Sequence, residues 1–149
     1  MVKDGKLIER RKMNKISVEV IPFLLPIMTF CHVIADYNLQ GILANLKQIK
    51  WWEQNYHTNK DEQNASAALR IHSGSWAFMI MLPIMLFMLI TKQYDFDFYI
   101  VALGINSLIH SIVDDAKCNQ EIINYRTDQY IHMFQITLTW LIYYIIMIF

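Results

Sequence analysis

Four apolar stretches divide the chain, and charged or polar segments separate them. The stretches cover about residues 16–36, 71–91, 98–115 and 129–149 of the 149-residue sequence. Because a helix rises about 1.5 Å per residue, roughly 20 apolar residues cross the hydrocarbon core of a bilayer. The third stretch is shorter, and we expect it to span only with local thinning or with its last turn in protein. Residues 16–149 are therefore predicted to form an all-α membrane domain, a four-helix up-and-down transmembrane bundle.

The polar connection between the first and second stretches carries a second pattern. Apolar residues recur there at helical spacing, at Leu39, Ile42, Leu43, Leu46, Ile49 and Trp52. The spacing predicts an amphipathic helix over about residues 39–54 in the membrane interface, with headgroup-depth side chains at Lys47, Lys50, Trp51 and Trp52. The same spacing also suits a soluble helix packed on the core. Residues 55–66 are predicted to form a polar loop.

The basic residues are concentrated ahead of the first apolar stretch. Residues 1–15 hold six of the 13 lysines and arginines and resemble a cytoplasmic N-terminal extension. With Lys92 this side of the membrane carries seven basic residues against six on the other, and the dense cluster favours both termini in the cytoplasm. The apolar run that follows is long and lacks a small-residue cleavage site, which indicates a retained helix rather than a signal peptide.

The overall charge narrows the class of partner. The chain has 13 basic and 13 acidic residues, so it lacks the basic field that holds nucleic acid by its phosphates. Nothing in the chain indicates a nucleotide cofactor, and the predicted partner is the lipid bilayer. Its two cysteines, Cys31 and Cys118, argue against a disulfide scaffold. Four segments with one short member make a modest core, so a homo-oligomer is also expected.

Histidine and aspartate recur together at the edges of the apolar stretches. The pairs are His32 with Asp36, His110 with Asp114, and Asp128 with His132, and His72 stands alone. Residues four apart share one face of a helix, so each pair offers two side chains in one direction. In an up-and-down bundle all seven groups meet at one depth near one membrane face. The fifth histidine, His57, lies in the polar loop without such a partner.

Three interpretations fit such a cluster. Imidazole and carboxylate are ligands for zinc, iron or manganese, and all seven side chains are candidate ligands. In this interpretation Asp36, Asp114 and Asp128 also serve as catalytic bases, and Gln40, Lys117 and Gln129 are substrate-side polar groups. Each pair alone also fits a structural ion pair near the headgroups. A proton or ion pathway uses the same residue types.

The leading functional hypothesis is a divalent-metal-dependent hydrolase in the membrane. The depth of the site suggests a lipid-like or membrane-delivered substrate with an ester or phosphate. Two alternatives come from other classes. One is an ion-conducting, proton-conducting or transport protein, as an oligomer; the other is a non-catalytic membrane effector or partner protein with a structural His/Asp cluster.

The motifs resemble those of a known family. The run from His32 to Gln40 is similar to the H-x-x-A-D-[FY]-x-L-Q opening of a family of small bacterial and phage membrane proteins of unknown function. His72 and the segments 110–117 and 128–132 resemble its H, H-x-x-x-D-x-x-K and D-Q-x-x-H elements. The resemblance implies a four-helix protein of the bacterial cell membrane with one shared His/Asp site, and it implies no reaction. The chain departs from the family in its basic N-terminal extension and in a polar insert over residues 55–64.

Overall fold

The computed structural model describes residues 19–56 and 59–148. Helix accounts for 85% of these described residues, and no strand occurs among them. The fold is therefore all-α, as the sequence predicts. The basic extension over residues 1–15, as well as His57, lies outside the described residues.

The first helix, α1, changes its winding along its length. It spans Ile21–Asn38 and begins with a short 3₁₀ turn, where Pro22 lies in the first turn and its missing N–H costs nothing. It ends in a π-helical turn over Ile34–Asn38, closed by a 2.9 Å bond from the Leu39 N–H to the Ile34 carbonyl. Such turns are rare and frequently occur at functional sites. Here the turn sets the direction of Asp36.

The predicted interfacial helix over residues 39–54 is two short helices rather than one. These are α2, Leu43–Leu46, and α3, Ile49–Asn55. Gln48 lies between them with an extended backbone, with ψ at 123°. The periodicity is correct on either side of this residue, but the continuous helix is wrong, because a distant side chain binds the backbone at the break.

The second transmembrane helix is longer than predicted. Helix α4 spans Asp61–Thr91 and has 31 residues, about 46 Å at the helical rise. The predicted loop over 55–66 is thus wrong from Asp61 onward, as is a helix beginning at residue 71. The negative charges of Asp61 and Glu62 stabilise the first turn of α4, because they lie at the positive end of the helix dipole. The alanines that follow have a high helix propensity. The first turns of α4 pack on α2 and α3.

The last two helices also exceed their predicted limits. Helix α5 spans Phe96–Cys118 and α6 spans Tyr125–Ile148. The 23 residues of α5 reach about 34 Å, so the expected local thinning of the bilayer is not needed. The Asp95 side chain accepts a 3.0 Å bond from the Phe98 N–H and starts α5 two residues before the predicted position. The Asn124 side chain does the same for the Thr127 N–H at the start of α6.

The four long helices form a ring in the order α1, α4, α5, α6. Each contacts its neighbours, and α6 closes the ring against α1. The end of α1, the first half of α4, the end of α5 and the start of α6 meet at one end of the bundle, which is the up-and-down arrangement. The buried centre includes Trp76, Ile80, Ile84 and Tyr143. All four helices are long and apolar enough to cross a membrane, and the chain is an integral membrane protein.

Candidate metal centre

The seven histidines and aspartates predicted to meet do meet, at one end of the bundle, and are called the His/Asp cluster below. Helix α1 supplies His32 and Asp36, α4 supplies His72, α5 supplies His110 and Asp114, and α6 supplies Asp128 and His132. Each of the seven is no more than 8% exposed. Ionisable groups at this depth are costly and persist where they pair or function.

One group of atoms within the cluster has the spacing of metal ligands. The Nε2 atom of His72 lies 3.1 Å from Nε2 of His110 and 3.6 Å from Oδ1 of Asp36. Oδ2 of Asp114 lies 3.3 Å from the His72 nitrogen and 3.7 Å from the His110 nitrogen. Ligands about 2.0–2.1 Å from a tetrahedral zinc are about 3.4 Å from one another. The atoms of Asp36, His72 and His110 could therefore surround a single ion, with the Asp114 oxygen beside them.

A second, overlapping group consists of His110, Asp114 and His132. Nδ1 of His132 faces Nδ1 of His110 at 3.3 Å, and its Nε2 lies 3.6 Å from Oδ1 of Asp114 and 3.2 Å from Oδ1 of Asp128. The His132 Nε2 and the Asp128 Oδ1 face each other, and neither makes a well-aligned hydrogen bond within the described residues. This group is thus a second candidate for holding a cation, with Asp128 beside it.

His32 stands apart from both groups. The indole N–H of Trp76 donates a 2.8 Å hydrogen bond to its Nδ1. Because indole is only a donor, the hydrogen of the neutral ring lies on Nε2, which is 3.2 Å from Oε1 of Gln129. Both ring nitrogens are occupied. His32 is therefore outside the two groups with ligand spacing and holds Gln129 instead, and its role as a ligand stays a prediction.

Asp128 is also held by protein partners. Its Oδ2 accepts hydrogen bonds from Lys117 Nζ at 2.7 Å and from Gln129 Nε2 at 2.9 Å. Its Oδ1 lies 3.2 Å from Nε2 of His132, so Asp128 is placed to act on that imidazole rather than beside His72 and His110.

The three polar residues predicted to face a substrate bind the carboxylates. Gln40 Nε2 donates to Oδ1 of Asp36 at 3.0 Å, and Gln129 Nε2 donates to its Oδ2 at 3.1 Å. Lys117 Nζ lies 3.3 Å from Oδ1 of Asp114 as well as binding Asp128. The substrate-side roles of these three residues stay a prediction. Such hydrogen bonds fix the direction of a carboxylate ligand.

Lys47 does not lie at the membrane interface, where the sequence places it. Its side chain is buried, with 3% of its surface exposed, and its Nζ lies 2.5 Å from Oδ2 of Asp114. The cause is Asn119, which accepts from the Ile49 N–H at 2.9 Å and donates to the Lys47 carbonyl at 3.1 Å. These bonds replace helical ones at the break between α2 and α3. They direct the Lys47 side chain into the bundle.

The buried charges nearly balance. Three carboxylates, those of Asp36, Asp114 and Asp128, accompany two ammonium groups, those of Lys47 and Lys117. With neutral imidazoles the sum is −3 + 2 = −1. A divalent cation would change it to +1, so the centre would then attract an anion.

The other predicted interface residues lie on α3. Lys50 is exposed and forms an ion pair with Glu121, whose backbone φ is 55°. The hydrogen bond between them lowers the pKa of Glu121 and raises the pKa of Lys50. Trp51, Trp52 and Tyr56 form an aromatic cluster with ring centroids 5.2–5.7 Å apart. Their position at headgroup depth stays a prediction.

Two residues of the centre are not singled out by the sequence patterns. Trp76 stacks on the His110 ring, with centroids 4.1 Å apart, besides binding His32. It lies four residues after His72 on α4, a spacing that could have revealed it. Asn119 carries no such signal, because its partners lie 70 and 72 positions earlier in the chain.

A cavity lies beside the cluster rather than in it. Its volume is about 420 Å³, and it lies between α3, the start of α4 and the end of α5. Glu62, Ser66 and Asp115 are among its lining residues, and none of the cluster's side chains is. The His/Asp cluster is thus closed. Lys117 and Gln129, both half-buried, lie where it comes near the surface.

No family model matches the chain, and no curated protein or solved structure matches it. The resemblance of its motifs to the small bacterial and phage family therefore stays a prediction. The fold and the site define a class: an integral membrane protein of four helices with buried His/Asp groups that could hold a metal ion.

Proposed function

We propose that the protein is a divalent-metal-dependent hydrolase of the membrane that acts on a lipid-like substrate. The observation that supports this most directly is the spacing of three buried ligand atoms, from Asp36, His72 and His110, on three different helices. Two imidazole nitrogens and a carboxylate oxygen suit zinc, iron or manganese. Asp114, which is bound to Lys47, lies beside them with its Oδ2 3.3 Å from the His72 nitrogen.

Asp128 and His132 would supply the proton chemistry. A bound divalent ion would lower the pKa of a coordinated water to about 7. Because Nε2 of His132 faces the Asp128 carboxylate at 3.2 Å, this nitrogen carries the hydrogen of the neutral ring, and the carboxylate of Asp128 would accept the proton of such a water. Lys117, which binds Asp128 and Asp114, would stabilise negative charge that develops on an ester or phosphate oxygen. Asp36 would hold the ion rather than act as a base.

Metal content tests the proposal. Protein purified in detergent without chelator is analysed by elemental mass spectrometry beside His110→Ala and the matched control Ser73→Ala, whose hydroxyl bonds its own helix. We expect one equivalent of zinc, iron or manganese in the wild type and in Ser73→Ala, and none in folded His110→Ala. Metal-loaded protein should hydrolyse a long-chain ester or phosphate, and chelation should stop the reaction. Wild-type protein that is folded and metal-free after incubation with all three ions would overturn the proposal.

A second candidate is proton or ion conduction, and one observation favours it. On the C-terminal side of His132, helix α6 places three further polar residues on one buried face, Gln135, Thr139 and Tyr143. Together with the contacts among His72, His110 and His132, they form a line of polar groups through the bundle. This candidate predicts proton flux in liposomes that Tyr143→Phe reduces, whereas the hydrolase predicts none.

A further inference from the structure

A groove runs along the lipid-facing seam between α5 and α6. Its volume is about 180 Å³, and its apolar walls include Phe98, Val101, Ile105, Ile109, Leu138 and Ile142. The four α5 residues recur at spacings of three and four, so they lie on one face and extend about 16 Å along the helix. Val101 and Ile105 are more than half exposed on this face. The groove is therefore open to the hydrocarbon of a bilayer.

The floor of the groove ends one turn from the metal centre. Asn106, Gln135 and Thr139 line it and are buried, so the groove exposes almost no polar surface. Asn106 is one turn from His110, and Gln135 is one turn from His132.

The floor of the groove leads towards the centre along α5. Ala102, Asn106, His110 and Asp114 follow one another at spacings of four, and Lys117, whose side chain is 20% exposed, lies three residues further on. A groove, a reactive centre and a cation thus follow one another along one side of the helix, whereas the apolar wall from Phe98 to Ile109 faces the lipid. An amphiphile with an acyl chain, a cleavable linkage and an anionic headgroup has the same order of parts.

We infer that the ligand of the centre is an anionic lipid whose acyl chain lies in the α5–α6 groove and whose headgroup lies at Lys117. This inference rests on the proposed hydrolase function and names its substrate class. A divalent ion would give the buried charges a net value of +1, which favours an anionic over a zwitterionic headgroup. The cleavable linkage, between the acyl chain and the headgroup, would lie at the depth of His110 and His132, where the proposed chemistry takes place.

Photo-crosslinking in vesicles tests the inference. The full chain is reconstituted in phosphatidylcholine with a trace of phosphatidylglycerol or phosphatidylcholine bearing a diazirine on one acyl chain, and labelled residues are mapped by mass spectrometry. At the groove we expect roughly two- to fivefold more labelling by the anionic probe, the size of effect of a partly exposed ion pair. Lys117→Gln should remove this preference.

Two variants with the same substitution, Ile to Trp, test where the acyl chain of the lipid lies. Ile105→Trp fills the groove and should abolish the preferential labelling. Ile100→Trp changes the same residue type on the same helix at a second apolar groove, which Met85, Leu89 and Tyr94 also line, and should leave the labelling unchanged. Equal labelling by both probes would overturn the inference, and so would crosslinks between two copies of the chain along this seam, which would make it an oligomer interface.

The failure of this inference and that of the proposed function are distinguishable, because labelling does not require turnover. Metal content is measured on the same reconstituted sample. Bound metal with equal labelling by the two probes would overturn the lipid site alone. Headgroup-selective labelling of metal-free protein would support the lipid site and overturn the proposed chemistry.

Discussion

The histidines of the cluster look equivalent in the sequence, and their hydrogen-bond partners separate them. His32 is fixed as a single tautomer between the Trp76 indole and Gln129, and neither nitrogen remains for a metal. His72 and His110 instead direct Nε2 atoms at each other and at carboxylates. Two imidazole nitrogens 3.1 Å apart require a shared hydrogen or a shared cation. The identity of a residue thus suggests a ligand, but its partners decide whether it is one.

This difference gives a prediction for two conservative substitutions. His72→Gln removes a proposed ligand, so bound metal should fall to near zero. His32→Gln disturbs only the residue that holds Gln129 against Asp36, and changes of this kind typically weaken metal affinity by about 10- to 100-fold. Competition with a chromophoric chelator measures both affinities. Loss of all metal in His32→Gln, with His72→Gln unaffected, would reverse the assignment.

Among the helices, the break between α2 and α3 shows where sequence periodicity stops being informative. The apolar spacing predicts helix on both sides of Gln48, and helix is found there. The interruption depends on Asn119, whose amide binds the backbone of Lys47 and Ile49 from the far end of α5. A local pattern does not contain a contact between residues 70 positions apart. For the same reason the sequence places Lys47 at the membrane surface, whereas the structure pairs it with Asp114.

Removing the contact between Asn119 and the backbone should increase local opening of the segment between α2 and α3. Asn119→Ala deletes the bonds to the Ile49 N–H and the Lys47 carbonyl, at a cost of about 1–2 kcal/mol in local stability. Hydrogen exchange should become faster at the Ile49 amide while the cores of α4 and α5 stay protected. Asn55→Ala is the control, because the Asn55 amide binds the Trp51 carbonyl of its own helix. Equal exchange in both variants would show that Asn119 does not hold the break.

Much of the arrangement of the cluster follows from its spacing. Three His/Asp pairs four residues apart, the single His72 and an alternating bundle suffice to bring seven side chains to one end, and the structure has them there. The roles within the cluster do not follow, because the π turn at Asp36, the tautomer of His32 and the approach of Lys47 depend on tertiary contacts. Helix limits were also underestimated, since Asp61 to Arg70 is polar enough to resemble a loop although it packs on α2 and α3.

For the whole molecule, the metal should couple the helices to one another. The proposed ligands come from α1, α4 and α5, so an ion that binds only the folded bundle adds to its stability. At a free concentration about 100 times its Kd, the gain is about 2.7 kcal/mol. Removal of the metal by a chelator should therefore lower the midpoint of thermal unfolding in detergent. Adding back the ion that the purified protein contains should restore the midpoint. An unchanged midpoint in protein shown to bind the ion would contradict a site shared between helices.

The direction of the bundle in the membrane can be argued from the same charges. By sequence, seven basic residues lie on the side of the termini and six on the side of the cluster. Two of the six, Lys47 and Lys117, are ion-paired with aspartates of the cluster, which leaves 6 − 2 = 4 for the polar surface on that side. Positive residues are retained in the cytoplasm. The asymmetry therefore favours cytoplasmic termini and a cluster that faces outward.

Cysteine labelling in intact bacterial cells measures this orientation. Gln120→Cys lies in the connection from α5 to α6 beside the cluster, and Tyr94→Cys lies in the connection at the opposite end of the bundle, both with exposed side chains. Cys118, which is partly exposed, is replaced by serine in both variants. A membrane-impermeant maleimide should label Gln120→Cys directly and Tyr94→Cys only after permeabilisation. The reverse pattern would place the cluster on the cytoplasmic side, where a lipid substrate would have to come from the inner leaflet.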